Sequence, residues 1–549
     1  MTVKDLTKSA DLTRHGKGTG ALRSRRPQYV DFLPPCNDAC PAGENIQAWL
    51  ALAQDGKYEE AWRELVVNNP MPSIHGRVCY HPCEDVCNRA FTDSAVSIHA
   101  VERFLGDLAL KEGWQFEKPT ENTGKKILIV GAGPSGLSAA YQLVGMGHEV
   151  EIREAGPFAG GMIHFGIPAY RMPRDELQAE IDRIENMGAV ITLDHRVDDV
   201  LAEKEEGGFD AVFVAVGAHI SKKIDIPNRE AGKILDAVSF LSSTSKGDAP
   251  KLGRRVAIYG GGNTAMDAAR TAKRLGVDEA MIIYRRDRSS MPAHDFEADE
   301  AIEEGVKIKW LRTIKEIDRS TFKVELMELD ETGRPQPTGK FETLEADSLI
   351  LAVGQDTDTA FLETVPGIEF QKDHTVVVDE NMMTGHEGIF AGGDMVPSDR
   401  SVTIAVGHGK HAARHIDAYL RGSEYRRAPK HEIIGHDKLH IWYRTAAPQV
   451  EQDRIPIVDR TEGFDEILQN ITESDALFEA RRCLSCGNCF ECDGCYGACP
   501  EGAIIKLGPG KRYRYDFDLC TGCAICFEQC PCHAIEMIDE PEPGEAKSA

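Results

Sequence analysis

The chain has 549 residues, room for three or four domains at about 150 residues each. With 42% hydrophobic and 28% charged residues it has the balance of a folded soluble protein, which excludes wholesale disorder. Its 89 acids against 63 Lys and Arg leave a net charge of −26, which would repel a phosphate backbone and argues against a nucleic-acid partner. No apolar run reaches the roughly 20 residues of a membrane-spanning helix. The basic first 28 residues lack the apolar stretch of a secretory signal, so a cytoplasmic location is expected.

In chain order, residues 1–35 carry scattered Gly, Lys and Arg without a period and are expected to form a mobile arm. Residues 36–122 are helical in pattern, with Ile46, Trp49, Leu50, Leu52, Ala53, Ala61, Trp62 and Leu65 at the spacing a helix hairpin would bury. Two strand–glycine turn–helix units follow, at Lys125–Glu154 and Arg254–Arg286. Each leads to a short apolar strand and a glycine, Phe209–Gly217 and Asp347–Gly354. The repetition predicts two related nucleotide domains of α/β, Rossmann-like type, the second (251–354) inserted into the first (123–250 and 355–421). Residues 422–480 form a polar connector, 481–540 a cysteine-rich module, and 541–549 a disordered tail.

The 16 cysteines are clustered: five between Cys36 and Cys87, eleven between Cys483 and Cys532, none between. Short clustered spacings favour metal over a disulfide scaffold. The empty middle excludes a flavoenzyme that reduces disulfides through a cysteine pair beside its nucleotide domains. Cys489, Cys492, Cys495 and Cys499-Pro are followed by Cys520, Cys523, Cys526 and Cys530-Pro, the bacterial ferredoxin run written twice. In such pairs the fourth cysteine serves the other cluster. One [4Fe–4S] cluster is therefore assigned to Cys489, Cys492, Cys495 and Cys530, and another to Cys520, Cys523, Cys526 and Cys499. Zinc is the competing occupant.

Gly131-Ala-Gly133-Pro134-Ser135-Gly136 follows an apolar strand and opens a helix. Its glycines permit a tight turn, a close approach to pyrophosphate and close helix packing, while Glu154 ends the next strand where a carboxylate can accept ribose hydroxyls. With that context, dinucleotide binding outweighs a surface turn. The second copy, Gly260-Gly261-Gly262-Asn263-Thr264, lacks the acid and carries Arg285 and Arg286 in its place. Guanidinium groups suit a 2′-phosphate, which favours NADP. If they form only a solvated face, NAD stays acceptable.

The order of "GRVCYHPCEDVC", "GAGPSG", "GGMIHFGIPAYRMP", "GGGNTAMDAAR", "YRRDRSSMPA" and "AGGD" resembles the small-subunit family of bacterial NADPH-dependent glutamate synthase. The same module recurs in NADH-dependent ferredoxin:NADP oxidoreductase and in dihydropyrimidine dehydrogenase. The resemblance implies FAD on the first nucleotide domain, NAD(P)H on the second, iron–sulfur clusters in the helical domain, and no side-chain acid or base in catalysis. It puts Gly131, Gly133, Pro134, Ser135, Gly136, Glu154, Gly161, Met162, Gly166, Ile167, Arg171, Gly217, Gly393, Asp394 and Thr403 at flavin positions. Gly260, Gly262, Asn263, Thr264, Arg285, Arg286 and Gly354 fall at nicotinamide-nucleotide positions. His164 and His408 lie near the flavin segments, where packed histidines are commoner than tuning ones.

By the same resemblance one cluster takes Cys40, Cys79, Cys83 and Glu102. The Cys-x2-Cys pair with which the family usually opens is absent, leaving Cys36 and Cys87 short of partners. Cys483 and Cys486, in "EARRCLSCG", resemble the missing segment. A fourth cluster on Cys36, Cys87, Cys483 and Cys486, within or between subunits, stands against four spare thiols. The added ferredoxin module is similar to that of the flavoprotein accompanying dissimilatory sulfite reductase, and to electron-supply flavoproteins of benzoyl-CoA reductase. The implied activity is an NAD(P)H:acceptor oxidoreductase subunit serving a partner redox enzyme, with a stand-alone ferredoxin:NADP oxidoreductase as the alternative. A homodimer is left open.

Overall fold

The computed structural model describes residues 23–222, 224, 226–229 and 233–540. The tail 541–549 and residues 1–22 of the arm lie outside them.

The first nucleotide domain is a five-stranded parallel sheet in the order Ile389–Ala391, Ala211–Val214, Lys126–Val130, Glu149–Arg153, Val190–Thr192. Its central strands are near-continuous apolar runs because helices cover both faces. The helix Pro134–Gly145, started by a proline at its first position, packs against the long helix Val402–Leu420. Ile127, Leu128, Phe213, Phe390 and Ile416 are among the fully buried residues of this core.

The second sheet is also parallel, in the order Lys307–Lys309, Glu279–Ile283, Arg255–Tyr259, Ser348–Leu351, Lys233–Asp236. Its edge strand Lys233–Asp236 and the helix Ala237–Ser245 lie within residues that the sequence pattern gives to the first domain. The insertion therefore begins earlier than residue 251. Two short antiparallel strands, Ile220–Ser221 and Gln355–Asp356, carry the chain out and back. A three-stranded antiparallel meander of Arg312–Asp318, Thr321–Leu329 and Pro335–Glu345 covers one side of the inserted domain.

The helical domain packs Ile46–Ala53, Tyr58–Val66 and Ile98–Glu112 around buried Trp49, Leu50 and Leu65, while Pro72–Val78 lies against Ile98–Glu112 and buries Ile74 and Val78 in the core of the first nucleotide domain. The connector is not a free linker. Its helix Glu473–Arg482, begun by a capping box between Thr472 and Asp475, buries Ala476 and Ala480 in that helical core. Nor is all of the arm mobile. Arg25–Tyr29 forms a strand antiparallel to Ile535–Asp539, joining the two ends of the chain, and Arg23 pairs with Glu540. Among the described residues no helix is long and apolar enough to cross a membrane.

Candidate functional site

Two cavities meet between the nucleotide domains. The larger, about 610 Å³, opens at the C-terminal ends of the first sheet, where open α/β folds bind ligands. Each glycine of the first turn has its own reason. Gly131 has φ +104°, and a Cβ there would lie 2.5 Å from the Ala215 carbonyl oxygen. A Cβ on Gly136 would come 2.1 Å from the Gly131 carbonyl oxygen, so helix and strand could not close. At Gly133 a Cβ would meet no protein atom within 4 Å, and the residue lines the cavity. The Glu154 carboxylate accepts the Ala132 and Gly156 amides, both at 2.8 Å, which fixes it at the cavity wall. This open glycine cradle beside a fixed carboxylate fits a dinucleotide such as FAD.

Pro134, Ser135, Gly161, Met162, Gly166, Ile167, Gly217, Gly393 and Asp394 line the same cavity. Burial pushes the Asp394 carboxyl up to about 6, against the opposing charge of Arg400. The Nδ1 of His408 accepts the Gly393 amide at 3.2 Å, so this ring is packed behind the wall. His164 stacks on Phe158, ring centres 4.6 Å apart.

The second cavity, about 400 Å³, is lined by Gly260, Gly262, Arg285, Arg286 and Gly354. Arg285 is exposed, while the Nε of Arg286 is buried without a hydrogen-bond partner. That orphaned donor suits an anionic group in the cavity. Val238, Thr264 and Gln355 line both cavities, so ligands in the two would share a wall.

Three candidate residues are engaged by the protein itself. Arg171 lines the larger cavity but forms ion pairs with Asp267 (2.9 Å) and Glu297 (2.6 Å), carboxylates of the inserted domain. Asn263 donates to the Tyr80 hydroxyl at 2.6 Å. Thr403 is buried and donates to the Cys79 thiol at 3.1 Å. Tyr80 and Val78 belong to the helical domain yet reach the cavity, and Tyr80 also stacks on His294 at 3.8 Å. The sequence signals no such role for Tyr80, because its partners are distant in the chain.

Cys40, Cys79 and Cys83 are electrostatic neighbours, and burial raises all three thiols. Glu102 stands beside them with Glu44, which the sequence does not single out. The Asn69 amide bridges the two carboxylates at 3.0 and 2.8 Å, and ligand atoms of Glu44, His75 and Glu102 lie within 4.8 Å of one another. In the C-terminal module, Cys489, Cys492, Cys495 and Cys530 are mutual neighbours. Cys499, Cys520, Cys523 and Cys526 line one small cavity. Backbone amides donate to Cys499 (3.3 Å) and Cys530 (3.2 Å), as iron–sulfur thiolates require. Cys532 lies 3.8 Å from Cys530 as an additional thiol.

Two nucleotide cavities sharing a wall, with thiol clusters behind one of them, define a pyridine-nucleotide oxidoreductase of the flavoprotein class with iron–sulfur modules. The chain belongs to the pyridine nucleotide-disulphide oxidoreductase family, whose model matches residues 125–409. Residues 31–114 match dihydropyrimidine dehydrogenase domain II, 4Fe-4S cluster, and residues 513–536 match the 4Fe-4S binding domain. The chain is 35% identical to the NADP(+)-dependent formate dehydrogenase subunit beta of Moorella thermoacetica, over 88% of this chain and 75% of that protein. It is 33% identical to the NADPH-Fe(3+) oxidoreductase subunit beta of Geobacter sulfurreducens, over 84% and 76%. It is 32% identical to the glutamate synthase [NADPH] small chain of Azospirillum brasilense, over 71% and 87%. The protein is thus an FAD-dependent pyridine-nucleotide oxidoreductase carrying 4Fe–4S domains.

Proposed function

We propose that the chain is an electron-transfer subunit that passes electrons between NADPH and a partner redox enzyme. One juxtaposition carries this reading. The larger cavity touches the nicotinamide-side cavity through Val238, Thr264 and Gln355, and is lined on its other side by Val78 and Tyr80, the chain neighbours of Cys79. Gly133 and Glu154 would hold FAD in this cavity, where its chemistry when bound would be the conversion between two-electron hydride transfer with the nicotinamide and one-electron transfer with the clusters. The chain's own part is alignment and exclusion of water, for which no side-chain acid or base is required.

Arg285 and Arg286 would hold the 2′-phosphate, Arg286 through its orphaned Nε. The three relatives, each named for NADP or NADPH and each a subunit or chain of a larger enzyme, support both the nucleotide and the partner. Dissimilatory sulfite reductase is one candidate partner, on the likeness of Cys483–Ile504 alone; the relatives' names point to other acceptors. A second reading, a stand-alone ferredoxin:NADP oxidoreductase, draws on the built-in ferredoxin module.

Arg286→Ala should lower kcat/KM for NADPH at least ~10-fold while leaving NADH nearly unchanged, from loss of about 1.4 kcal/mol or more of charge-assisted bonding. An unchanged ratio of the two nucleotides would remove the 2′-phosphate assignment. Bleaching of the flavin by NADPH under nitrogen, followed by loss of cluster absorbance near 400 nm, tests the electron path. Flavin bleaching with unaltered cluster absorbance would end it.

A further inference from the structure

We propose that Cys36, Cys87, Cys483 and Cys486 form a fourth thiolate site, built from both ends of the chain and holding a [4Fe–4S] cluster. The choice of iron rests on the electron-transfer reading above; the convergence of the thiols does not.

The four residues come from segments 396 to 450 positions apart and are brought together by rigid structure. Cys483 caps the end of the helix Glu473–Arg482. That helix is pinned to the helical domain by buried polar contacts at both of its last-turn charges. Arg482 pairs with Asp93 at 3.1 Å and donates to the Ser94 and Ala95 carbonyls at 2.7 and 2.8 Å. Glu479 accepts the Ser97 amide at 2.8 Å and the Val450 amide at 2.6 Å. Cys36, Cys87 and Cys483 pack against one apolar cluster, and Cys486 against the adjoining one around Phe32 and Ile434. The thiols whose charges bear on Cys36 are Cys483, Cys87 and Cys486. All four cysteines are free of disulfides.

The local backbone has the form seen at the other thiol sites. The Ser485 amide donates to the Cys483 sulfur at 3.4 Å, with Ser485 in the left-handed region at φ +49°. At Cys79 the His81 amide does the same at 3.4 Å, with φ +46°. The Asn88 side chain, next to Cys87 in sequence, donates across to the Cys486 sulfur at 3.5 Å. These donors stabilise thiolates rather than thiols.

A separate observation points to an occupant. The Ser485 hydroxyl, in the middle of the Cys483–Cys486 turn, is wholly buried with no oxygen or nitrogen partner, and only the Cys483 sulfur stands beside it. Such a group is rarely left poorly satisfied, and the sulfides of a cluster are acceptors to which it would donate a hydrogen bond. Iron is favoured over zinc by position. Cys36 lies four residues before Cys40, Cys87 four after Cys83, and Cys486 three before Cys489. The site thus adjoins thiol groups on both sides, where a redox-silent ion would interrupt them. Cys483 and Cys486 fall outside both matched 4Fe–4S regions, 31–114 and 513–536.

The test uses the full chain, purified and reconstituted under nitrogen, with iron, zinc, sulfide and FAD measured together. The wild type should carry about 16 irons per FAD, four clusters of four, and Cys483→Ser with Cys486→Ser about 12. Both should keep their FAD and its bleaching by NADPH, since the substitutions lie outside the flavin cavity. About 12 irons in the wild type, equal iron in both proteins, or one zinc per chain would overturn the proposal. Should the variant fail to fold, alkylation of the wild type decides. The four cysteines should resist iodoacetamide until an iron chelator is added, and labelling before chelation would overturn the site. Loss of flavin bleaching in the wild type would instead strike the electron-transfer reading and leave the iron count standing.

Discussion

Gly133 and Gly136 belong to one motif but answer to different physics. A side chain at Gly136 would collide with the Gly131 backbone, whereas one at Gly133 would meet only the cavity. Gly136→Ala should therefore unfold the first domain, seen as loss of soluble chain or a fall in Tm of several degrees. Gly133→Ala should fold with an unchanged flavin-free Tm but lose FAD at least ~10-fold more readily, because its methyl occupies the pyrophosphate approach. Release of FAD measured by fluorescence separates the two. Asp394 supports a pH prediction. Its folded value of about 6 lies above the ordinary carboxylate value, so the stability it lends is complete at pH ~4 and is lost as pH rises through about 6. Other buried acids share that direction, so the comparison with Asp394→Asn isolates this one. In the flavin-free chain the variant should match the wild type at pH ~4 and exceed it at pH 7 by on the order of 1–3 kcal/mol in urea unfolding. The glycines and Glu154 were legible in the sequence because a dinucleotide turn is local. Tyr80 was not, since what gives it significance is a neighbour across a domain boundary, and Glu44 was not, since its partners Asn69, His75 and Glu102 are brought to it only by the packing of the helical domain. The same holds for Arg171, whose motif position is plain but whose acidic partners, Asp267 and Glu297, lie about a hundred residues on.

The elements that the sequence hid are those without a period of their own. Arg25–Tyr29 reads Arg-Arg-Pro-Gln-Tyr, with no alternation to mark a strand, and takes its register wholly from Ile535–Asp539. The helix Glu473–Arg482 is strongly charged, and its short apolar stripe of Ala476 and Ala480 acquires meaning only against the helical core. Lys233–Asp236 is a four-residue edge strand, too short for its pattern to assign it to either nucleotide domain. The strands Lys126–Val130 and Arg255–Tyr259, by contrast, announced themselves as apolar runs leading into glycine turns. The terminal clasp is testable at Arg23. Buried at 4% exposure, it pairs with Glu540 and donates to the carbonyls of Phe517 and Cys520 at 2.6 and 2.8 Å. Arg23→Ala leaves those acceptors unpaired beside a cluster cysteine, at about 2 kcal/mol. Amide exchange should accelerate ~10-fold or more across residues 503–539 while strands of the nucleotide sheets keep their rates. Uniform exchange in both regions would show the clasp to be dispensable.

At the scale of the whole chain, the cores differ in kind. The nucleotide domains rest on large apolar cores, Ile127, Leu128, Phe213 and Phe390 in one and Val256, Ile258 and Ile282 in the other. The core cluster of the C-terminal module holds eight buried residues, and four of them are cysteines: Cys495, Cys526, Cys530 and Cys532. A module so built draws its folding energy from metal rather than from apolar burial, as small metal-dependent domains do. The helical domain is intermediate, with buried Trp49 and Leu65 alongside its thiols. Removal of iron by a chelator under reducing conditions should therefore separate the parts of the molecule. The C-terminal module should unfold and become protease-sensitive, the helical domain should loosen, and the nucleotide domains should retain FAD. NADPH-dependent reduction of ferricyanide, which needs only flavin and nicotinamide, should persist at more than half its rate. Reduction of an acceptor that takes electrons from the clusters should fall to background. Calorimetry should then show one transition shifted down and one unmoved. A single transition lost as a whole, with FAD released in step with iron, would mean that the clusters support the entire fold and that the apolar cores are insufficient alone.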